Sequence, residues 1–457
     1  MLTPQRMVRE DLCIGCGACV ARTPATGARM QLDARGLLRP AGPPGWGGAA
    51  PGFDQLCPFS PGAADEDEIA AELFPLAPCH DAATGRYIAA YVGHAAEGDF
   101  RLQGSSGGLV SWVAATLLRE GQVDAVVHVQ GSDAGDDGRY FRYRVSRSEA
   151  ELRAGAKSRY HPVELSEVLR VIAEVPGRYA LVGIPCFIKA VQLLRRQDAM
   201  FRERIVLTLG LFCGHMKSVH FVGSLAWQMD TVPARVRHVE FRRKQPDRPA
   251  SWYNATLQLD DGQLRDRDWW HLVDGDWGAG FFMDPACNFC DDVMAETADI
   301  AFGDAWVEPY ASDWRGTNVV VVRSPALAEL LTRGIADGRL QLQPVDAGFV
   351  AATQAAGLRQ RREGLAYRLA RRRRERRRLQ PRKRVQANAA AADVQRQLIY
   401  RLRAAITAGS HRMFRLAERL HLPRLYLAWA RIALTAYGAL AYHRGRWGRL
   451  VSWLRLT

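Results

Sequence analysis

The sequence predicts an α/β fold, with an α+β core built on a mixed, largely parallel sheet, between a short cysteine-containing segment and a basic helical tail. Three observations support this prediction. β-rich and helical runs alternate through residues 87–229, four cysteines occur in residues 1–60, and residues 359–457 carry 26 Lys and Arg against 4 Asp and Glu. Alternation of strands and helices is typical of sheets with crossover helices. A chain of 457 residues, 48% of them hydrophobic, suits two or three globular domains.

Changes in composition divide the chain into four parts. We expect a cysteine-containing segment at residues 1–60, a linker at 61–85, the α/β domain at 86–350 and the basic tail at 351–457. The N-terminus lacks the apolar stretch of a signal peptide, so we expect a cytoplasmic protein. Nine cysteines in such a chain, several at C-x2-C spacing, favour metal ligation over disulfides.

The α/β domain is defined by strand-like runs that alternate with helical stretches. The pattern predicts strands at 87–93, 123–129, 178–184 and 204–212, helices at 108–120, 164–175, 187–196 and 217–229, and further strands at 235–243, 252–259 and 317–323. The β signals stop near residue 350, and no internal repeat is present.

The first cysteines are Cys13, Cys16 and Cys19, at the C-x2-C-x2-C spacing of an iron–sulfur ferredoxin loop. In two-cluster ferredoxins the fourth ligand of such a loop is the Cys-Pro of the other run. Cys57, followed by Pro58, occupies that place here. We therefore predict one [4Fe–4S] cluster on these four cysteines. A zinc site or idle thiols are the alternatives, but zinc favours paired C-x2-C hooks. Cys79 is left as a spare thiol.

A second set of cysteines is more dispersed. Cys287 and Cys290 form a C-x2-C, while Cys186 and Cys213 each follow a predicted strand. Ligands of open α/β sheets gather at the carboxyl ends of strands. Each of these cysteines alone could be a small buried hydrophobe. Together they supply four sulfurs and predict a second cluster.

A glycine- and serine-rich turn precedes a predicted helix. The turn comprises Gly104, Ser105, Ser106, Gly107 and Gly108. Free N–H groups at a helix N-terminus bind phosphate, and glycines allow close approach of a ligand. A basic and polar cluster offers donors for a pyrophosphate at Lys157, Ser158, Arg159 and Tyr160. The alternative is a solvated surface loop.

Taken in order, these motifs resemble one family. "CIGCGAC", "GSSGGLVSWVAATLL", "AGAKSRY", "GIPCFIKAVQLL", "GLFCGH" and "CNFCDDVMAETADIAFGDAW" resemble the coenzyme F-420 hydrogenase/dehydrogenase beta-subunit proteins over roughly residues 8–345. Members include the subunit of the F-420-reducing hydrogenase, chlorophyll-pathway reductases and versions associated with polysaccharide biosynthesis. The chain departs from the family pattern in its single-cluster N-terminal region and its long basic tail.

The resemblance implies cofactors and site residues. It implies FAD at the glycine-rich turn and the basic cluster, with Gly183 and Pro185 of the "GIPC" motif also binding the cofactor. It implies a [4Fe–4S] cluster on Cys186, Cys213, Cys287 and Cys290. The places of His215, Asp304 and Trp306 in the motifs make them candidate catalytic residues near the flavin. Only the resemblance favours FAD over FMN, because the residues themselves do not distinguish the two flavins.

The basic tail predicts an anionic partner. Residues 359–457 have a net charge of +22, which leaves −8 of the total +14 for the rest. Helix-periodic segments with Arg and interleaved Trp and Tyr, such as 397–420 and 424–442, suit an interfacial helix on anionic lipid. We therefore predict a tail that lies on the inner face of the membrane, because an Arg within a span is costly. Nucleic-acid binding is the weaker alternative, since no recognition motif accompanies the charge.

Three hypotheses for function follow. The first is an iron–sulfur flavoprotein oxidoreductase that acts on a substrate, such as a polysaccharide precursor or coenzyme F-420. The second is an electron-transfer subunit of a larger complex, without a substrate site of its own. In both, the electron donor or acceptor is external: ferredoxin, reduced F-420 or a partner subunit. A tethering protein with a relic redox core is disfavoured because both cysteine sets are complete.

Overall fold

A computed structural model describes residues 2–48, 52–132, 138–246, 248–375 and 379–445. The N-terminal part consists of short elements around two loops. They are α1 (Pro4–Arg9), α2 (Ala18–Ala21), β1 (Arg29–Leu32), β2 (Leu38–Ala41), α3 (Phe53–Leu56), α4 (Glu66–Leu73), β3 (Cys79–Asp81) and β4 (Gly85–Tyr87). β1 and β2 form one antiparallel hairpin, and β3 and β4 form another. The predicted linker thus contains a helix and a hairpin.

The centre of the molecule is an eight-stranded sheet. Its elements in chain order are β5 (Ala89–Ala95), α5 (Phe100–Gln103), α6 (Leu109–Arg119), β6 (Ala125–Gly131), β7 (Phe141–Ser146), α7 (Glu149–Ala154), α8 (Ser166–Glu174), β8 (Tyr179–Gly183), α9 (Pro185–Gln197), α10 (Ala199–Arg204), β9 (Ile205–Leu211) and α11 (His220–Gln228). After a small separate sheet, formed by β10 (Val236–Arg243), β11 (Asn254–Leu259) and β12 (Leu264–Asp268), come β13 (Ile300–Asp304), β14 (Asn318–Val322), α12 (Pro325–Ala336) and β15 (Leu340–Pro344).

The strand order of the central sheet is β15-β5-β14-β13-β9-β8-β6-β7. The four inner strands β13, β9, β8 and β6 run parallel, and the strands on both sides pair antiparallel. The predicted α/β class with a mixed sheet is confirmed. The inner strands carry continuous apolar runs because both faces of the sheet are covered.

Helices cover both faces of the sheet, because alternate side chains of β8 belong to two different apolar clusters. Ala180 and Val182 belong to an apolar cluster with α6 and α12, which contains the fully buried Trp112. Tyr179 and Leu181 belong to a second cluster with α8, α9 and α11. Because successive side chains of a strand point to opposite faces, the two clusters are the two layers of the core.

The C-terminal part is helical, as predicted. It consists of α13 (Ala347–Thr353), α14 (Ala355–Arg361), α15 (Glu363–Arg374), α16 (Val394–Arg419) and α17 (Pro423–Tyr442). α16 begins at a cap in which the Asp393 carboxylate accepts from the backbone N–H of Arg396 at 2.7 Å. α16 and α17 form a hairpin whose buried side chains, including Phe414 and Tyr426, join the second apolar cluster. Residues 446–457, part of the predicted interfacial tail, lie outside the described residues.

Most predicted elements of the α/β domain are present within a few residues of their predicted bounds. The strands missed from the sequence are short or amphipathic: β1–β4, β7, β12, β13 and β15. Within the described ranges, no helix combines the length and the apolar character needed to cross a membrane.

Candidate functional site

The first cysteine set converges on one cavity. Cys13, Cys16 and Cys19 lie between the end of α1 and the middle of α2, and Cys57 caps α3. All four line a cavity with about 400 Å³ of space free of protein atoms, part of it open to solvent. Burial, with the neighbouring Cys13 adding to the effect, raises the pKa of Cys16 to about 12. Cys57 thus lies at the same cavity as the other three cysteines of the predicted set.

The loop needs its two glycines. Gly15 and Gly17 have φ values of +74° and +82°, in the left-handed region that favours glycine. A Cβ on Gly17 would lie 2.5 Å from a carboxylate oxygen of Glu164, and one on Gly15 would lie 2.5 Å from the carbonyl oxygen of Leu38. The cysteine loop is therefore folded tightly against both β2 and the start of α8.

The second cysteine set also converges on one cavity. Cys186 lies in the first turn of α9 after β8, and Cys213 follows β9. Cys287 lies in a short 3-10 helix, Pro285–Phe289, and Cys290 ends it. These four line a cavity with about 260 Å³ of space free of protein atoms, part of it open to solvent. The carboxyl edge of the parallel strands thus positions Cys186 and Cys213, and the 3-10 helix brings Cys287 and Cys290 to the same cavity.

The two cavities are neighbours. Ile14, between Cys13 and Cys16, lines both of them. Burial raises the pKa of Cys186 well above its usual value, and Cys16 of the other set contributes to that rise after the other three cysteines of its own set. Such an influence requires that the thiols of the two sets lie close together.

The cysteines surround space and do not meet at a point. In the part of the chain that the structure describes, no group of three or more His, Cys, Asp or Glu side chains is placed to hold a single metal ion.

The glycine-rich turn and the basic cluster are in contact. The backbone N–H of Ser158 donates to the Oγ of Ser105 at 2.7 Å, and the Oγ of Ser106 donates to the carbonyl of Thr317 at 2.9 Å. A Cβ on Gly107 would lie 2.8 Å from atoms of Asn318 and Gly93. The glycine at 107 is therefore required by the packing of the chain itself, and Gly104 and Gly108 likewise approach their own loop closely.

The cations near this turn have different surroundings. Lys157 pairs with Glu240 at 2.8 Å. Arg159 lies over the ring of Phe141, and its Nη2 donates to the carbonyl of Ala156 at 3.0 Å. Burial lowers the pKa of Arg159 to about 10. Arg159 is therefore a half-buried cation whose Nε has no hydrogen-bond partner among the described residues.

Lys244 holds the glycine-rich turn in place through hydrogen bonds to backbone carbonyls. Its Nζ donates to the carbonyls of Arg101, Ser106 and Arg315. Burial lowers the pKa of Lys244 to about 7, with Lys157 and Arg242 contributing as like charges. All three donors of the ammonium are used within the protein, so Lys244 holds the loop in place.

The candidate catalytic residues lie around a group of aromatic rings. The ring of His215 is 4.5 Å from Trp277, which in turn is 4.6 Å from Tyr160. Burial lowers the pKa of His215 well below its usual value, with Lys217 and Arg403 adding to the effect, so its imidazole is neutral at pH 7. Tyr160 of the basic cluster therefore connects the turn to His215 through Trp277.

Asp304 and Trp306 share one partner. Arg242 donates to both carboxylate oxygens of Asp304, at 2.9 and 3.3 Å, and its guanidinium lies 5.4 Å from the centre of the Trp306 ring. Trp306 is 37% exposed, whereas Arg242 is buried. This places an ion pair behind an aromatic ring that faces solvent. Gly183 ends β8, and Pro185 lines the second cavity.

The basic segment 359–384 packs on the second cysteine set. Arg361 donates to the carbonyls of Cys213 and Gly214, and Arg368 donates to the carbonyl of Asn288. Lys383 pairs with Asp291 at 2.9 Å, and both side chains are almost fully buried. Much of the charge of this segment is therefore used inside the molecule, where the sequence led us to expect an anionic partner.

Some residues of the site were not found from the sequence. Arg361 and Lys383 were counted only as part of a charge run, and Arg242, Lys244 and Trp277 carry no motif. Arg242 lies within a predicted strand, and this position could have marked it as a functional candidate. A charged residue that a strand buries needs a partner.

Comparisons with known proteins match the part of the chain that carries the motifs. The model for the N-terminal part of the coenzyme F-420 hydrogenase/dehydrogenase beta subunit matches residues 90–170, and that for the C-terminal part matches residues 177–348. A solved structure titled "Xenon derivatization of the F-420-reducing [NiFe] hydrogenase complex from Methanosarcina barkeri" is 16% identical, covering 64% of this chain and 95% of that chain, with a TM-score of 0.47. A search of curated proteins finds no match. The two family models together span more than half of the chain, which therefore belongs to the coenzyme F-420 hydrogenase/dehydrogenase beta-subunit family.

Proposed function

We propose that this chain is an iron–sulfur flavoprotein oxidoreductase that passes electrons between two [4Fe–4S] clusters and FAD. The observation that carries the proposal is the convergence of eight cysteines, in two sets of four, on two adjacent cavities. Cys79, the ninth cysteine, lines neither cavity. Four thiolates around one cavity are the ligand set of a [4Fe–4S] cluster.

Each cysteine set would hold one of the two proposed clusters. Cys13, Cys16, Cys19 and Cys57 would hold the N-terminal cluster, and Cys186, Cys213, Cys287 and Cys290 the second. Ile14 lines both cavities and so forms part of the wall between them. The short separation supports transfer of single electrons from one set to the other within the chain.

The glycine-rich turn and the basic cluster are the proposed flavin site. Arg159 has unused donor capacity for a pyrophosphate, and Ser158 and Ser105 connect the two segments. The rings of Tyr160 and Trp277 would border the isoalloxazine, with the neutral His215 beside them. Iron–sulfur clusters supply one-electron chemistry, and FAD supplies one- and two-electron chemistry, including hydride transfer.

The candidate catalytic residues would orient the substrate and exclude water. The Arg242–Asp304 pair is a fixed ion pair beside Trp306, whose ring is partly exposed to solvent. This arrangement supports an oxidoreductase with its own substrate, such as a polysaccharide precursor or coenzyme F-420. The alternative is an electron-transfer subunit that serves a partner subunit. Steady-state assays with ferredoxin, NAD(P)H and reduced F-420 distinguish the two, because only the first function gives turnover without a partner.

A second candidate function concerns the tip of the α16–α17 hairpin. Leu416, Leu420 and Leu422 are exposed there, beside the exposed Arg419 and Arg424. Exposed leucines among arginines suit the surface of an anionic membrane. This location would place a cytoplasmic protein at the inner face of the membrane through the hairpin tip and not through segment 359–384.

Iron and flavin analysis of anaerobically purified protein tests the main proposal. We expect about eight iron atoms per chain for two [4Fe–4S] clusters. Cys57→Ala and Cys186→Ala should each remove about half of the iron, whereas the control Cys79→Ala should remove none. Loss of no iron in both of the first two variants would refute the proposal.

The flavin site is tested separately. Arg159→Ala should lower flavin content and spare the iron, because a charge-assisted contact of about 1.5–3 kcal/mol is lost. Arg144→Ala removes an exposed arginine of the neighbouring β7 and serves as the control. Equal flavin content in the two variants would show that the flavin does not bind at this site.

A further inference from the structure

The C-terminal segment contributes a cation to the wall of the second cavity. Arg361, the last residue of α14, lines this cavity together with the four cysteines. Its side chain is buried, and its Nη2 donates to the carbonyl of Cys213 at 2.9 Å and to that of Gly214 at 2.7 Å. These two bonds fix the guanidinium beside the cavity. Arg361 lies beyond residue 348, where the match to the family models ends.

The two cavities differ in charge because of this residue. A guanidinium keeps its proton in proteins, so the charge of Arg361 is permanent. Among the described residues that line the second cavity, Arg361 is the only such charge, and the others besides the cysteines are Ile14, Phe59, Ile184, Pro185 and Met216. The residues that line the N-terminal cavity include no arginine or lysine.

The carboxylates near the second cavity are bound by other groups. Asp291 is bound by Lys383, and Asp284 is bound by Arg39, each at 2.9 Å. Asp292 accepts from the backbone N–H groups of Met294 and Glu296. Arg361, in contrast, lines the cavity and donates to backbone carbonyls, and no carboxylate among the described residues forms a salt bridge with it. Its field therefore acts on whatever the cavity holds, and burial strengthens that field.

We propose that Arg361 is a positioning residue that raises the reduction potential of the second [4Fe–4S] cluster above that of the N-terminal cluster. The inference rests on the proposed function. Reduction by an external one-electron donor adds one electron to the cluster and neither forms nor breaks a bond. The added negative charge is stabilised by the guanidinium, so the reduced form gains more than the oxidised form. Electrons then move from the N-terminal segment towards the second cavity.

Redox titration of the full chain by electron paramagnetic resonance, with dithionite as reductant, tests this inference. Arg361→Gln should lower the midpoint potential of the second cluster and leave that of the N-terminal cluster unchanged. Arg361→Lys keeps the charge and should stay close to wild type. Arg359→Gln removes an equal charge from an exposed position on the same helix and is the control, with no expected shift. The same titration in Cys57→Ala protein isolates the signal of the second cluster.

The outcomes separate this inference from the proposed function. Full iron content with an unchanged potential in Arg361→Gln would overturn the inference and leave the proposed function intact. If Cys186→Ala protein contains as much iron as wild type, both the inference and the proposed function are contradicted. If the Arg361→Gln protein loses its iron, the Arg361→Lys protein provides the test. An Arg361→Lys protein with full iron and a wild-type midpoint potential of the second cluster supports the role of the charge. A marked fall in that potential, although the charge is kept, refutes it.

Discussion

Replacing Lys383 with methionine tests how the C-terminal segment is held on the cysteine loop. The Nζ of Lys383 lies 2.9 Å from the Oδ1 of Asp291, and the two side chains are 2% and 0% exposed. Asp291 follows Cys290 directly, so this pair joins the last quarter of the chain to the second cavity. Lys383→Met keeps most of the apolar stem and removes the charge.

The magnitude follows from burial and from the remaining partners. Removing one member of a buried ion pair costs about 3–5 kcal/mol, because the other charge is left unpaired. Arg384 partly compensates, since its backbone N–H donates to the Oδ2 of Asp291 at 3.1 Å and its guanidinium lies 3.6 Å away. We therefore expect the lower end of this range, a loss of about 3 kcal/mol in the free energy of unfolding.

Urea denaturation of anaerobically purified protein measures the effect. The control is Arg382→Met, which removes a neighbouring cation from an exposed pair with Glu68 and should cost about 0–1 kcal/mol. The double variant Lys383→Met/Asp291→Asn should recover part of the loss, because no unpaired charge remains. A Lys383→Met protein as stable as the control, or a double variant less stable than the single one, would refute this account.

Three further predictions concern other parts of the molecule. Gly17→Ala should lower the iron content by about half, because its Cβ would meet Glu164 at 2.5 Å and its φ is +82°; unchanged iron would show that the loop can shift. Lys244→Met should lower flavin content and spare iron, since the turn loses three hydrogen bonds; retained flavin would mean that the turn holds without them. Leu420→Asp with Leu422→Asp should weaken pelleting with anionic vesicles, whereas the exposed Leu264→Asp on β12 should not; equal pelleting would place membrane contact elsewhere.

The sequence predicted the features that depend on local pattern. Continuous apolar runs such as that of β14 predict buried strands, and cysteine spacing predicts the loop that holds Cys13, Cys16 and Cys19. The convergence of Cys186 and Cys213 followed from a general property of α/β sheets, because both residues come just after parallel strands. These predictions needed no knowledge of distant contacts.

The features that could not be predicted depend on long-range contacts. The short strand β13 is buried between β9 and β14, but its few residues carry no periodic signal of their own. Arg361 and Lys383 resemble every other cation of the tail in sequence, and only their burial against the cysteine loop distinguishes them. A charge run is usually a solvated surface, so composition alone pointed away from the interior.

Three arginines of the C-terminal part contact the N-terminal part of the chain near the cysteines, and this bears on the order of events during synthesis. Arg372 contacts Glu10, the backbone N–H of Arg382 donates to Ser60, and Arg384 contacts Asp67. A ribosome releases all nine cysteines before it makes the residues from Arg361 onward. At about 5–20 residues per second, residues 361–457 take about 5–20 s to appear. During that interval Arg361, which lines the second cavity, has not yet been made, so chains truncated before Arg361 should leave this cavity more open than chains that contain it.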